Sequence, residues 1–480
     1  MNRNGRADYR ERFSPGGRMT AIGYDRDEDG QVDEDVVLDQ VPQAERRYLV
    51  LLLDSVPFSI AKGAWQQGRF RYCAEPARVI GPFPVMTDLS FSEFFGVSPS
   101  PGVESEYYDG QRLRDGYGVY LNEGNARWLS KTDYHLPQIL HGSAYLDVEP
   151  WFGHELRQIQ ELFLNGDRRL TIGYCVGTSG LGATQSRGGH RKGLALVDRL
   201  CRQLLYQTRG RARFALLSDH GHYFTAVESR RLPLRDLLEA RGYRITDRLR
   251  GPRDLVIPEF EMVSAASIWT YEPRRVAADV AGFAGVELAA YLEGERLWVV
   301  SGDGKAAITK RGDGFRYSPE YGDPLRLRGI WQRLESAGQV SADGFVADRV
   351  LFEATRRHVY PDGVARLWRA FHGLVEHTPD VIVALREGYH GGSAFQTRMV
   401  KLVGVHGNLR EASTCGFAMS SEGGLPDDIR MQDLRTVLKS AGIPFNDEDD
   451  RSAYSVCPVH VLEQPSKPQH DDLLITHKAL

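Results

Sequence analysis

The sequence predicts an α/β fold in which a doubly wound, mostly parallel sheet carries a small β-rich cap insertion. The first observation is a set of continuous apolar runs, such as YLVLLLDS ending near Asp54, that is typical of buried parallel strands. The second is their alternation with helix-like stretches, including WFGHELRQIQELFL from Trp151 and KGLALVDRLCRQLLYQ from Lys192. The third is a change of texture near Tyr271, where short strand patterns are joined by SGDG and RGDG turns.

Four further apolar runs complete the predicted core. LTIGYCVG (170–177) and RFALLSDHG (213–221) are expected to lie in the main sheet beside the first strand. DVIVALREG, from Asp380, and RMVKLVGVHG, from Arg398, are expected to return to the same sheet. Because ligands of such sheets bind outside the carboxyl ends of the strands, the residues that end these runs are the candidate functional residues.

Composition divides the chain into five segments. The first is polar and Gly-rich and is expected to lie outside the core, and the last is polar with Pro and His and is expected to be a loose tail. The predicted boundaries are 1–45 for the N-terminal extension, 46–271 for the first part of the α/β core, 272–327 for the cap, 328–445 for the second part of the core and 446–480 for the tail.

Composition and charge restrict the class of protein. The 480 residues are 41% hydrophobic, which is enough for two or three domain-sized units. With a net charge of -4, the chain lacks the basic excess that is typical of nucleic-acid binding. It contains no apolar run long enough to predict a transmembrane helix. The N-terminus lacks the apolar core of a secretory signal. Five scattered cysteines without a CxxC pair favour a cytoplasmic location, namely Cys73, Cys175, Cys201, Cys415 and Cys457.

The acidic segment DRDEDGQVDEDV, from Asp25 to Val36, imitates a calcium loop. Asp25, Asp27 and Asp29 occupy the first, third and fifth positions, and Gly30 stands at the turn. The twelfth position, which should be a bidentate Glu, is Val36, and no helix pattern flanks the segment. An acidic surface turn is the plain alternative to a calcium site.

Asp54 and Thr87 are the first two candidate site residues. Asp54 ends a buried strand, where a carboxylate is costly unless it is paired, bound to a cation or capping a helix. Thr87 follows the turn PFPVM and precedes the helical pattern DLSFSEFFG, so it is expected to be a helix N-cap. A hydroxyl in that place faces free N–H groups and a positive dipole end, which favour an alkoxide and bound phosphate.

The other candidates are histidines and an aspartate at strand ends. Asp219 and His220 end the run FALLS, and Gly221 permits a turn sharp enough for both side chains to reach one cation. His222 follows closely, and a histidine pair alone is more typical of a surface turn. His406 ends a later apolar strand, where a hydrogen-bonded structural histidine is the alternative to a ligand.

Together these fragments resemble the alkaline phosphatase superfamily, most closely its type I phosphodiesterase and nucleotide pyrophosphatase branch. The resemblance covers roughly residues 48–421 as a broad pattern. The first-strand Asp of that family matches Asp54, and its nucleophilic Thr or Ser after a proline-bearing turn matches Thr87. The Ser-Asp-His-Gly signature is present as residues 218–221, and the late His-Gly motif matches His406 and Gly407.

The resemblance implies one or two divalent metal ions, with zinc favoured and manganese as the alternative. The second ion would be held by His406 together with an Asp and a His from the loop after the intervening strand. The residues that would hold the first ion are Asp54, Thr87, Asp219 and His220.

The second metal site departs from the family pattern. The corresponding segment, YCVGTSGLGATQSRGGH, has Ser179 where the Asp should be and residues 183–185, Ala-Thr-Gln, where the His should be. His190 lies further on. The Gly-rich stretch is expected to be a flexible loop, with backbone contact to a phosphate as the alternative. One metal site is therefore complete and the other incomplete.

The pattern predicts a metal-dependent phosphohydrolase, a phosphodiesterase or phosphomonoesterase, with Thr87 as nucleophile and a small phosphate ester as substrate. In this hypothesis one intact metal site suffices, or His190 or water fills the second. A degenerate protein that binds a phosphate-bearing ligand without turnover is the first alternative. A single-metal sulfatase-like or transferase enzyme is the second, although a sulfatase derives its nucleophile from Cys or Ser. The sequence leaves the substrate and the oligomeric state open.

Overall fold

The computed structural model of the chain describes residues 8–27 and 29–446. The strands are β1 (Tyr9–Phe13), β2 (Met19–Tyr24), β3 (Glu34–Val37), β4 (Arg47–Leu53), β5 (Ala77–Ile80), β6 (Tyr107–Tyr108), β7 (Leu113–Arg114), β8 (Leu170–Cys175), β9 (Ala212–Leu217), β10 (Tyr223–Phe224), β11 (Arg230–Arg231), β12 (Arg244–Ile245), β13 (Asp254–Leu255), β14 (Ala265–Ile268), β15 (Val286–Glu293), β16 (Arg296–Ser301), β17 (Gly304–Arg311), β18 (Gly314–Gly322), β19 (Val346–Ala347), β20 (Val381–Leu385), β21 (Tyr389–His390), β22 (Gly404–Val405), β23 (Cys415–Ser420) and β24 (Asp428–Arg430).

The helices follow in the same chain order. The α-helices are α1 (Phe58–Gln66), α2 (Thr87–Phe95), α3 (Tyr117–Tyr120), α4 (Gln138–Leu146), α5 (Val148–Asn165), α6 (Gly177–Gln207), α7 (Leu234–Glu239), α8 (Pro273–Ala281), α9 (Arg328–Ser336), α10 (Asp348–Thr355), α11 (Gly363–Ala370), α12 (Ala394–Met399), α13 (Glu411–Thr414) and α14 (Met431–Ser440). Short 3-10 turns lie at Leu38–Gln40, Gln43–Glu45, Glu123–Asn125 and Arg127–Lys131. Within the described residues, no helix combines the length and the apolar character needed to cross a membrane.

The main sheet has six strands in the order β24-β5-β23-β9-β4-β8. All of them run in one direction except β23, which is antiparallel to both of its neighbours. The run YLVLLLDS supplies β4, which lies between β9 and β8 as a buried parallel strand. The predicted mostly parallel sheet is confirmed.

Helices cover both faces of this sheet because the side chains of each strand alternate between them. Leu49, Leu51 and Leu53 of β4 pack on the side of α1, α5 and α6. Val50 and Leu52 pack on the other side, against α2 and α14. Full burial of such a side chain stabilises the fold by about 1.5–3 kcal/mol. The doubly wound arrangement therefore follows from the continuous apolar run.

The β-rich part is a second, antiparallel sheet of seven strands in the order β14-β20-β15-β16-β17-β18-β19. The predicted β-rich insertion is confirmed, and its sheet also takes β14, β19 and β20 from outside residues 272–327. DVIVALREG forms β20 of this sheet, and the prediction that it returns to the main sheet is wrong. Since β20 is buried on both faces, its apolar run does not specify which sheet it joins.

Two other segments differ from the sequence predictions. RMVKLVGVHG forms the end of α12 and the strand β22, which pairs with β10 and not with the main sheet. The strand that returns to the main sheet is β23. The segment expected to be a flexible loop is the start of α6, which contains a break at Ser186 (φ 60°, ψ −151°). Glycine has a low helix propensity, so close packing against neighbouring groups must stabilise this part of the helix.

The N-terminal segment is also more ordered than its composition predicts. Strands β1, β2 and β3 form an antiparallel sheet, and Met19, Ile22 and Tyr24 are buried in the same core as β4. The prediction that this segment lies outside the core is wrong for these residues. The predicted tail lies outside the described residues from 447 onward, as does Cys457, and the predicted domain boundaries stay predictions. The cysteines 73, 175, 201 and 415 are buried free thiols.

Candidate active site

The predicted site residues come together at the carboxyl ends of two neighbouring strands. Asp54 follows β4, and Asp219 and His220 follow β9. Because β4 and β9 are adjacent and parallel, their ends lie at one edge of the sheet. One ligand atom from each of the three side chains lies within 4.8 Å of the others. The three residues are thus close enough to share a cation.

Asp54 is held by hydrogen bonds to its carboxylate. Its side chain is buried, and Oδ2 accepts a hydrogen bond of 2.6 Å from the Tyr174 hydroxyl. Oδ1 accepts another from the Ser55 hydroxyl. Helix α1 begins after Pro57 without a side-chain cap, so Asp54 is not a helix cap. These bonds orient Asp54 toward the group formed with Asp219 and His220.

Asp219 has a buried oxygen that lacks a partner. Its Oδ1 accepts a 2.9 Å hydrogen bond from the Ser55 backbone N–H, whereas Oδ2 has no hydrogen-bond partner and is fully buried. Burial, followed by the nearby charge of Asp54, raises the pKa of Asp219 to about 8. The ionised form of this carboxylate therefore needs a positive charge beside it.

The turn at Ser55 has an unfavourable backbone conformation. Its φ of 64° lies in the left-handed region, which costs of order 1–3 kcal/mol for a residue with a Cβ. The Ser218 hydroxyl accepts a 2.7 Å hydrogen bond from the next N–H, that of Val56, and so helps to hold the turn. The result is that the Ser55 N–H points at Asp219.

His220 presents its Nε2 lone pair to the same space. Nδ1 lies 3.0 Å from the carbonyl oxygen of Gly221, which can only accept, so Nδ1 carries the proton. Burial lowers the pKa of His220, which keeps the ring neutral. Nε2 lies 3.2 Å from Asp219 Oδ2. Two acceptors facing each other at this distance repel unless a proton or a cation lies between them, so this pair suits a bound cation.

Thr87 is the most exposed member of the group. It is the first residue of α2, and Met86 is the N-cap, so the prediction that Thr87 caps the helix is wrong by one position. Its hydroxyl lies 3.4 Å from His220 Nε2. The side chain is partly exposed, whereas Asp54, Asp219 and His220 are buried. A substrate can therefore reach this hydroxyl next to the candidate cation site.

His406 lies beside His220 and is also neutral. Its Nδ1 is 3.0 Å from the Val85 carbonyl oxygen, so Nδ1 carries the proton and Nε2 is free to accept. The His406 and His220 rings stack with centroids 4.1 Å apart. Burial, followed by the proximity of His220, lowers the pKa of His406 to about 4. His406 is thus a neutral nitrogen ligand available to a second ion.

The helix that should complete the second metal site supplies no charged ligand. Ser179 accepts a 2.8 Å hydrogen bond from the Tyr145 hydroxyl and lies 3.1 Å from the Ser55 hydroxyl. The Thr184 hydroxyl donates to a carbonyl of its own helix, that of Gly180, at 2.7 Å. These side chains satisfy local hydrogen bonds and do not form a cation site.

Two further histidines are buried beside His406. His190 Nε2 and His222 Nδ1 lie 3.1 Å apart, and both rings are buried, so His222 does not lie in a surface turn. The His222 and His406 ring centroids are 5.5 Å apart. Among the described residues, however, no group of three ligands within 4.8 Å includes His190, His222 or His406.

Sequence reasoning missed the residues that orient this site. Tyr174, which donates to Asp54, lies within β8 and matches no ligand pattern. Glu155 of α5 accepts 2.9 Å hydrogen bonds from the N–H groups of Val176 and Gly177 at the start of α6. Burial raises the pKa of Glu155 to about 8. The only sequence signal for Glu155 is a carboxylate on the apolar face of a helix.

No family model and no curated protein matches this sequence. Among solved structures, the chain is similar to murine ectonucleotide pyrophosphatase/phosphodiesterase 5, with 11% identity and a TM-score of 0.45 over 84% of this chain and 97% of that one. The human protein of that name, and the murine one in an inactive form in complex with AMP, give the same coverage and identity with TM-scores of 0.44. At 11% identity, the roles of the residues depend on the geometry of this chain itself.

Proposed function

We propose that the chain is a metal-dependent phosphohydrolase that acts on phosphate esters, with Thr87 as its nucleophile. The observation that carries this proposal is that two hydrogen-bond acceptors, Asp219 Oδ2 and His220 Nε2, face each other 3.2 Å apart. Both lie in a buried group with Asp54. The partly exposed hydroxyl of Thr87 adjoins this pair. A cation site next to an accessible hydroxyl suits phosphoryl transfer in which that hydroxyl is the nucleophile.

The cation would be held by Asp54, Thr87, Asp219 and His220. A histidine nitrogen combined with carboxylates favours zinc, and manganese is the alternative. Such an ion would act as a Lewis acid at the phosphoryl oxygens and lower the pKa of the Thr87 hydroxyl. The hydrogen bonds from Tyr174 and from the Ser55 N–H would fix the two carboxylates in place for it.

In the proposed reaction Thr87 Oγ forms a bond to phosphorus as the ester P–O bond breaks. The leaving alcohol takes up the proton that the Thr87 hydroxyl loses. Water then forms a bond to phosphorus, the bond to Thr87 Oγ breaks, and the hydroxyl regains a proton. The products are the alcohol and a phosphate monoester or inorganic phosphate, according to whether the substrate is a diester or a monoester.

A second candidate function is the binding of a phosphate-bearing ligand without turnover. The observation that favours it is the incomplete second site, where Ser179 stands in place of the Asp and one of residues 183–185, Ala-Thr-Gln, in place of the His of the two-metal pattern. In this case the cation and the ligand would bind, but Thr87 would not transfer a phosphoryl group.

We also propose a cytoplasmic location, which the buried free thiols support.

The test is hydrolysis of bis-p-nitrophenyl phosphate and p-nitrophenyl phosphate by the purified chain with zinc or manganese. Asp219→Asn should lose activity and metal, since it removes a ligand charge from the buried group. Asp303→Asn is the matched control, because Asp303 is exposed in a turn of the second sheet. Metal binding without hydrolysis by the wild type would favour the binding protein, and equal activity of Asp219→Asn and the wild type would refute the site.

A further inference from the structure

We infer that the loop between β2 and β3 is a calcium site, separate from the proposed active site and independent of its chemistry. Asp25, Asp27 and Asp29 each place a carboxylate oxygen within 4.8 Å of the other two. Three like charges at this separation repel one another, and oxygen donors without nitrogen or sulfur suit a hard divalent cation.

The buried member of this group has an oxygen without a partner. Asp25 is 1% exposed. Its Oδ2 accepts a 2.9 Å hydrogen bond from the Gly30 N–H, but its buried Oδ1 has no partner. An acidic turn at the surface would leave such an oxygen in water, whereas a buried one needs a donor or a cation. This oxygen is what distinguishes the loop from an ordinary acidic turn.

The nearby basic side chains do not neutralise the three carboxylates. Arg10 donates to the carbonyl oxygen of Gly30, and Arg26 pairs with Glu34. Within residues 8–27 and 29–446, none of Asp25, Asp27 and Asp29 has an ion-pair partner. The loop thus concentrates negative charge that no described side chain balances.

The backbone explains how a calcium loop can do without its twelfth ligand. Gly30, at the sixth position, has the φ of 90° that the sharp turn of such a loop requires. Val36, at the twelfth, lies in β3 opposite Ile22 of β2, so the chain enters a strand where a helix would otherwise begin. The hairpin closes at the ninth position, where Asp33 N–H donates to the Tyr24 carbonyl oxygen at 2.8 Å.

The shorter loop still offers enough oxygen donors. Asp33 supplies a carboxylate at the ninth position, where one oxygen accepts a 2.6 Å hydrogen bond from the Arg26 N–H. The Gln31 carbonyl occupies the seventh position, which contributes a backbone oxygen in calcium loops. Together with the three carboxylates and water, these donors supply the six to eight oxygen ligands that calcium takes. Magnesium usually keeps several waters and binds only one or two protein carboxylates, so the number of protein oxygens here favours calcium.

Calcium at this loop would stabilise the attachment of the N-terminal sheet to the core. Tyr24, the residue before Asp25, donates a 2.8 Å hydrogen bond to the Tyr206 carbonyl oxygen near the end of α6. Ile22 is buried in the core. Ordering the loop therefore orders a strand that packs directly on the α/β core.

The experiment titrates calcium into the chelator-treated full-length protein by calorimetry and follows its thermal melt. Wild type should bind calcium at this loop and melt at a higher temperature in calcium than in an equal concentration of magnesium. Asp27→Asn should weaken that binding at least tenfold and abolish the calcium-dependent shift, because it removes one of the three carboxylate charges. Since Asp27 is exposed, the substitution should leave the fold intact. Asp39→Asn removes an exposed charge just beyond the hairpin and should behave as the wild type.

The outcome separates this site from the proposed active site. Identical calcium titrations for wild type and Asp27→Asn would overturn the inference, as would an equal thermal shift in magnesium. If Asp27→Asn melts earlier even without calcium, Asp29→Asn, also exposed, provides the second variant. Neither variant touches Asp54, Thr87 or Asp219, so phosphohydrolase activity can fail or persist independently.

Discussion

At the scale of single residues, the positions of the two histidine protons define which atoms of the candidate active site can bind a cation. Carbonyl oxygens hold the Nδ1 protons of His220 and His406, so both rings turn a lone pair toward the site. Asp219 turns its unpartnered oxygen toward the same space. Neutral histidines beside a buried carboxylate oxygen without a partner favour a metal ion more than a catalytic proton relay.

The first prediction at this scale concerns Thr87. Thr87→Ala should lower phosphate-ester hydrolysis by at least about 100-fold, because it removes the partly exposed hydroxyl beside the candidate cation site. The fold should survive with a change in the free energy of unfolding of no more than about 1 kcal/mol, since Thr87 makes no capping hydrogen bond. The measurements are the steady-state rate with bis-p-nitrophenyl phosphate and a thermal melt.

Thr87→Ser is the matched control for this substitution. It keeps a hydroxyl at the first turn of α2 and should retain a measurable rate, whereas loss of the methyl group alone should not abolish activity. If Thr87→Ala and wild type hydrolyse the substrate equally, Thr87 is not the nucleophile.

At the scale of secondary-structure elements, the start of α6 determines what the second site can hold. This segment is Gly-rich because other groups approach it closely. A Cβ at Gly177 would lie 2.5 Å from Glu155 Oε2, and one at Gly182 would lie 2.6 Å from His222 Nδ1 and closer still to His190. The helix therefore forms through tertiary packing despite a poor intrinsic propensity.

The second prediction tests this packing. Gly182→Ala should destabilise the protein by about 1–3 kcal/mol, because its methyl group collides with the two buried imidazoles. Gly188→Ala lies in the same helix with open space around it and should be neutral or stabilising by up to about 1 kcal/mol. Denaturant unfolding measures both. Equal stability of the two variants would show that the histidine pair can move aside.

The same elements show what the sequence could predict. Strands β4, β8 and β9 were predictable because each is an apolar run buried on both faces, and β4 and β9 end in the residues Asp54, Asp219 and His220. The sheet to which β20 belongs could not be predicted, since a strand buried on both faces has the same continuous apolar sequence in either sheet. The helical start of α6 was hidden by its glycines, and the role of Tyr174 depends on a contact between β8 and the residue after β4 that no local pattern records.

At the scale of the whole molecule, the second sheet and the turn that precedes α2 together position His406. The Ser264 N–H, just before β14 of the second sheet, donates a 2.6 Å hydrogen bond to the His406 carbonyl oxygen. On the other side the His406 ring donates to Val85, and the Val85 N–H donates to Gly407 at 3.2 Å. The segment 404–407 thus links the second sheet to the turn that precedes α2.

The last prediction is the number of metal ions that the whole protein holds. We expect one tightly bound zinc or manganese, since Asp54, Asp219 and His220 form a ligand group and the described residues beside His406 do not. Asp54→Asn should lose this ion and His406→Ala should keep it. Metal at about 100 times its dissociation constant should stabilise the wild type by about 2.7 kcal/mol.

Metal binding should also depend on pH. Because the pKa of Asp219 is raised to about 8, protons compete with the metal for this carboxylate below that pH, and metal affinity should increase as the pH rises toward it. Elemental analysis after dialysis and thermal melts with and without metal measure these effects. Two tightly held ions, with one lost in His190→Ala, would instead show that His190 completes a second site.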